Sequence, residues 1–125
     1  MKQIIRTDNA PQPIGPYSQA VSAEGKLLFI SGQIPLKADG TMVGEDITSQ
    51  THQCILNIEA ILTEAGLTFD NVVKTTVLMV NLSDFGTMNE IYNGYFANSK
   101  PARAAFQVGR LPKDVLIEIE AVAVF

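Results

Sequence analysis

The sequence predicts a mixed α/β domain with the element order β-β-β-α-β-α-β-β. Three observations predict it. Two stretches repeat their apolar residues at helical spacing, several short β-branched runs do not, and clusters of Gly, Pro, Asn and Asp punctuate the boundaries between them. Strand-helix-strand connections are right-handed, so both helices fall on one face of a mixed sheet. A chain of 125 residues holds one core of this kind, read here as a single domain over residues 1–125.

The first apolar segment, Gln3-Ile4-Ile5-Arg6, reads as a short strand. Ala10-Pro11-Gln12-Pro13-Ile14-Gly15-Pro16 is too rich in Pro and Gly for regular structure, and this loop delivers Tyr17 into a second strand over residues 18–23. Glu24-Gly25-Lys26 reads as the turn of a hairpin leading to a third strand, Leu27-Leu28-Phe29-Ile30-Ser31. Asp39-Gly40 marks a small ribbon.

Over residues 47–65 the apolar positions Ile47, Cys54, Ile55, Ile58, Ile61, Leu62 and Ala65 have helical spacing, with Asp46 as N-cap and Gly66 as terminator. Residues 72–80 are β-branched and form a buried strand. Phe85, Met88, Tyr92, Tyr95 and Phe96 mark a second amphipathic helix, capped near Ser83. Strands over residues 102–108 and 115–124 follow, joined by Gly109-Arg110-Leu111-Pro112-Lys113-Asp114. One sheet face is left without a cover, so self-association is expected.

Composition narrows the function classes. A net charge of −4 with scattered Lys and Arg disfavours nucleic-acid binding, which needs clustered basic residues. No apolar run approaches the ~18 residues of a membrane helix. The N-terminal segment lacks a secretory signal, and the lone Cys54 has no internal disulfide partner. The expectation is a soluble cytoplasmic protein.

GxGxxG, P-loop, HExxH and CxxC patterns are absent. His52 and Cys54 lie two apart on a helix and do not face each other, which argues against metal binding and Cys-His catalysis; Cys54 reads as core and His52 as surface. Arg103 stands out. Its guanidinium lies among alanines in Pro101-Ala102-Arg103-Ala104-Ala105-Phe106, and Glu118 and Glu120 interrupt an equally apolar strand. A simple hairpin would set Arg103 opposite Glu118 or Glu120 as a structural ion pair. The alternative is a site for a small carboxylate, which Arg matches with a planar fork of donors. Tyr17 either packs over the core edge or lines that site, and Gly32 in Ser31-Gly32-Gln33 permits close backbone approach.

Ile14-Gly15-Pro16-Tyr17-Ser18-Gln19, Phe29-Ile30-Ser31-Gly32-Gln33-Ile34-Pro35, Pro101-Ala102-Arg103, Arg110-Leu111-Pro112-Lys113 and Ile117-Glu118-Ile119-Glu120-Ala121 occur in this order. Together they resemble the Rid family of reactive intermediate deaminases, and within it the 2-iminobutanoate/2-iminopropanoate deaminases. The resemblance runs essentially end to end. It implies a chorismate-mutase-like fold with a mixed six-stranded sheet, its last strand inserted between earlier ones, assembled as a homotrimer with clefts between subunits.

It also implies roles. Arg103 would clamp the carboxylate of a 2-imino acid, Glu118 would activate the attacking water, and Tyr17 would help orient that water. The backbone N–H of Ala105 would add a donor, with Ser31 and Asn89 lining the pocket. Neither metal nor cofactor is implied. Ala104-Ala105 replaces a frequent Ser-Cys pair, which excludes a thiol role at this position, and the stretch between Tyr95 and Pro101 is short. The implied activity is hydrolysis of imines released by PLP-dependent Ser/Thr dehydratases. The competing class is a non-catalytic carboxylate-binding module with a regulatory or chaperone-like role. A ribonuclease is a weaker reading for an acidic chain with one histidine.

Overall fold

The computed structural model describes residues 1–125. Its strands are β1 (Lys2–Ile5), β2 (Ala20–Ala23), β3 (Leu27–Gln33), β4 (Val72–Met79), β5 (Ala102–Gln107) and β6 (Ile117–Val124); its helices are α1 (Ile47–Glu64) and α2 (Phe85–Phe96). The order matches the expected one. The six strands do not form one sheet, however: β1 and β2 make a two-stranded ribbon, and the other four run in the order β3-β6-β4-β5. An isolated parallel bridge, Ser18 to Ala102, connects the segment before β2 to β5 at the edge of the larger sheet.

Both expected hairpins are replaced by longer-range pairing. β2 pairs with β1, with Ile4 opposite Val21, rather than with β3. β6 pairs antiparallel with β3 on one side and β4 on the other, and β5 pairs parallel with β4. Arg103 therefore lies beside Thr75, and no hairpin brings it opposite Glu118 or Glu120. The inserted last strand is the arrangement that the family resemblance implies.

Alternation explains the layers. Thr75, Val77 and Met79 of β4 and Ile117, Ile119, Ala121 and Ala123 of β6 are buried under the helices. Cys54, Ile55, Ile58 and Leu62 of α1 and Met88, Tyr92 and Phe96 of α2 complete one core cluster. Asp46 caps α1, its carboxylate accepting from the Ser49 N–H at 2.7 Å, and Gly66 leaves the helix at φ +77°. α2 starts after Asp84, next to the expected Ser83, and Asp84 makes no side-chain capping bond. Asn81 accepts from the Ser83 N–H and starts a 3-10 turn, Leu82–Asp84, that runs into α2. The Asp39-Gly40 ribbon is present as an isolated Leu36–Met42 bridge.

The opposite sheet face has no cover within the chain. Phe29 is 73% exposed and Phe106 48%, with Glu118, Glu120 and Val122 on the same side. Cys54 is fully buried, and burial pushes its thiol far above the ordinary range. The neutral thiol is a poor nucleophile, so native protein should react negligibly with a thiol reagent and unfolded protein should react completely, as a colorimetric thiol titration would read.

Candidate functional site

Arg103 reaches the helix side of the sheet near the start of β5. Its half-buried guanidinium lies over three rings: Tyr92 at 4.9 Å from the ring centre, Tyr17 at 5.2 Å and Phe85 at 5.5 Å. Each element supplies one wall. β5 carries Arg103, α2 presents Phe85, Asn89 and Tyr92 at successive i, i+4, i+7 positions, and the Pro-rich loop lays Tyr17 across the top. Tyr92 is locked from beneath, its hydroxyl sharing a 2.6 Å hydrogen bond with the Thr75 hydroxyl. Burial pushes the Tyr92 phenol up to about 12, so it stays neutral.

Arg103 Nη1 donates to Asn89 Oδ1 at 2.6 Å. No carboxylate lies within ion-pair distance of it; the ion pairs in the chain are Arg6–Asp8 and Arg110–Asp114, both on the surface. Burial lowers the affinity of Arg103 for its proton, but a guanidinium remains charged at neutral pH. A half-buried cation with one neutral oxygen as partner retains unused donors, and they face a cavity of about 220 Å³ lined by Ile14, Gly15, Tyr17, Phe85, Asn89, Arg103 and Ala105. Such a cavity suits a small molecule bearing a carboxylate.

The residues expected at a site thus divide into two groups. Arg103, Tyr17, Asn89 and Ala105 share this cavity. Glu118 and Ser31 do not: Glu118 pairs with Leu78 on the sheet face turned away from the helices, and Ser31 is exposed on β3. There the Glu118 carboxylate lies against Gly32, where a Cβ would stand 1.9 Å from Oε2. His52 sits on the outer surface of α1, its Nδ1 2.7 Å from the Tyr95 hydroxyl. No group of three or more His, Cys, Asp or Glu side chains is placed to hold a metal ion.

Sequence reasoning missed the aromatic shelf. Phe85 and Tyr92 read as core residues of an amphipathic helix, although Asn89 on their face was a signal that this face meets something polar. Ile14 and Gly15 belong to the Pro-rich loop, and a Cβ at Gly15 would stand in ordinary van der Waals contact with Asn89, Tyr17 and Arg103.

Comparison with known proteins identifies the family. The family described as endoribonuclease L-PSP matches residues 7–125. A RutC family protein of Pyrococcus horikoshii is 56% identical over 124 residues, covering 98% of each chain. The 2-iminobutanoate/2-iminopropanoate deaminase of mouse is 48% identical, covering 99% of this chain and 92% of its own length. Among solved structures, E. coli TdcF with bound serine is 42% identical with a TM-score of 0.75, covering 98% of both chains. The Rid family protein YyfB of Yersinia pestis is only 30% identical yet has a TM-score of 0.91, with 99% of this chain and 98% of that chain covered. No helix is long and apolar enough to cross a membrane. On these matches, which run from the Pro-rich loop through β6, the chain belongs to the endoribonuclease L-PSP family, whose members also carry the names RutC and Rid.

Proposed function

We propose that the protein hydrolyses 2-imino acids, the tautomers of enamines released by PLP-dependent Ser/Thr dehydratases, to 2-keto acids and ammonia. The observation that carries this reading is Arg103, a half-buried guanidinium with no carboxylate partner in its own chain and a cavity in front of it. The substrate carboxylate takes the free donors of Arg103, while Asn89 holds the guanidinium plane and the N–H of Ala105 adds a contact. Fixing the carboxylate fixes the adjacent C=N carbon. Glu118 accepts a proton as water adds to that carbon, with Tyr17 orienting the water. Glu118 returns that proton to the nitrogen, the C–N bond breaks with loss of ammonia, and the added hydroxyl gives up its own proton as the carbon becomes a carbonyl.

Glu118 and Ser31 lie on the face away from Arg103, so in this reading a second copy supplies them. Exposure of Phe29 and Phe106 on the bare sheet face supports self-association, read here as a homotrimer with its sites between subunits. The relatives named as deaminases and the serine bound to TdcF support the substrate class. The experiment is a coupled assay in which a dehydratase acts on threonine and 2-oxobutanoate release is timed. Added protein should accelerate release, and an unchanged rate would refute the activity.

One observation favours a second reading. Within a single chain the base is separated from the clamp, as it would be in a carboxylate-binding regulatory or chaperone-like module. Glu118→Gln decides between them. A deaminase loses turnover while keeping affinity for a small carboxylate; a binding module loses nothing. A ribonuclease has less support, because the sole histidine is bonded to Tyr95 outside the cavity.

A further inference from the structure

We propose that the buried hydroxyl pair of Thr75 and Tyr92 is a positioning device, which fixes the aromatic shelf that sets the angle of the Arg103 guanidinium. Neither residue lines the cavity itself. The inference rests on the deaminase reading, in which Arg103 clamps the carboxylate and Glu118 comes from another copy.

Stability alone does not call for the pair. Both side chains are fully buried, with their hydroxyls 2.6 Å apart. Other buried polar side chains serve the backbone: Gln50 bonds the Gly44 carbonyl and the Leu116 N–H, Thr51 the Ile47 carbonyl, and Ser18 the Lys100 carbonyl. The hydroxyls of Thr75 and Tyr92 bond only each other. A pair that satisfies nothing but itself can be replaced by apolar groups of the same shape at almost no cost in stability. Val and Phe would fill the same core.

What the pair supplies is direction. Tyr92 otherwise packs by its ring, stacked on Phe96 with centroids 4.4 Å apart. Apolar contact is non-directional, whereas a hydrogen bond fixes distance and angle. The bond ties the ring to β4, where Thr75 is the register partner of Arg103 on β5. Shelf and guanidinium are thereby referenced to one pair of neighbouring strand positions. Arg103 Cζ stands 4.9 Å from the Tyr92 ring centre, nearer than to the rings of Tyr17 and Phe85. Asn89 fixes one Nη of Arg103, and the Tyr92 ring fixes the tilt about that bond.

Tilt matters because the clamp and the base lie on opposite faces of the sheet. With Glu118 supplied by a second copy, the imine carbon meets the attacking water only as well as the guanidinium aims the carboxylate. Charge holds the substrate; aim decides turnover.

The test uses two variants in which stability and rate should run in opposite order. Thr75→Val combined with Tyr92→Phe removes both hydroxyls and keeps the volume. Its thermal midpoint and its affinity for 2-oxobutanoate, read by calorimetry, should stay near wild type, while kcat falls on the order of tenfold. Thr75→Ser keeps the hydroxyl and loses a buried methyl, so a lower midpoint with wild-type kcat is expected. A merely structural pair predicts the reverse, with rate following midpoint. Independently of turnover, NMR of the guanidinium nitrogens reads the shelf through its ring currents, the Arg103 signals being assigned by their loss in Arg103→Ala. These signals should move in the double variant and stay in Thr75→Ser; Phe keeps the ring, so movement reports its position rather than its removal. Unmoved signals in the double variant would overturn the inference, as would moved signals with unchanged kcat. Should wild-type protein fail to hydrolyse imines, the deaminase reading falls, and the signals alone decide whether the pair holds the shelf.

Discussion

Arg103→Ala is expected to abolish imine hydrolysis while leaving the protein folded. The guanidinium has no ion-pair partner in the chain, so its removal strands no buried carboxylate. Tyr92 keeps its hydrogen bond to Thr75, and Asn89 is only half-buried and can turn to water. The substrate carboxylate, by contrast, would lose its counter-ion in a partly dry cavity. Truncating one member of such a pair costs about 2–5 kcal/mol, a loss of roughly 30- to 5,000-fold in kcat/KM. Arg103→Lys should be nearly as damaging, because a point charge cannot bond Asn89 and a carboxylate with one planar fork. The measurements are the dehydratase-coupled rate and the thermal midpoint of each variant. A wild-type rate in Arg103→Ala would remove Arg103 from the site.

Gly32→Ala should slow turnover without weakening carboxylate binding. The added methyl would stand 1.9 Å from Glu118 Oε2 and 2.8 Å from its Cδ, so the carboxylate has to move. It is the far end of a flexible side chain, so the sheet can survive the change. Displacement of a catalytic group by about 1 Å can cost on the order of 100-fold in rate. Arg103, on the other sheet face, is untouched. A fall in kcat with ligand affinity preserved is the expected signature, read by steady-state kinetics beside equilibrium binding of a small carboxylate. Unchanged kcat would show that the position of Glu118 does not matter to the reaction. A joint loss of affinity would show that Gly32 acts on the pocket rather than on the base.

Local features were the most legible in the sequence. α1 was readable because its period, its Asp46 cap and its Gly66 exit all lie within one segment. Gly32 reads as a place of close approach, and the neighbour that approaches is Glu118. What failed was pairing. The Gly25 turn and the Gly109–Asp114 loop each read as hairpins, because turn chemistry is local whereas β6 inserts between strands far away in sequence. Periodicity assigns a face to a strand but not a neighbour. The separation of Arg103 from Glu118 was invisible for the same reason: the faces of β5 and β6 could be compared only once β4 was known to lie between them. The resemblance to Rid proteins carried the insertion, and α2's aromatic shelf was hidden because a ring against a guanidinium and a ring in a core obey the same spacing.

β6 follows every other element in the chain yet lies between β3 and β4. Neither neighbour can complete its ladder until β6 arrives, and α1, α2 and β4 must wait with their apolar faces only partly covered. Folding of the sheet is therefore a late, long-range closure rather than a growth from one end, with a correspondingly slow rate for a domain of this size. Until β6 pairs, β3 and β4 each present an open edge, so insertion of β6, rather than formation of the first helix, is the step that protects the folding chain from aggregation.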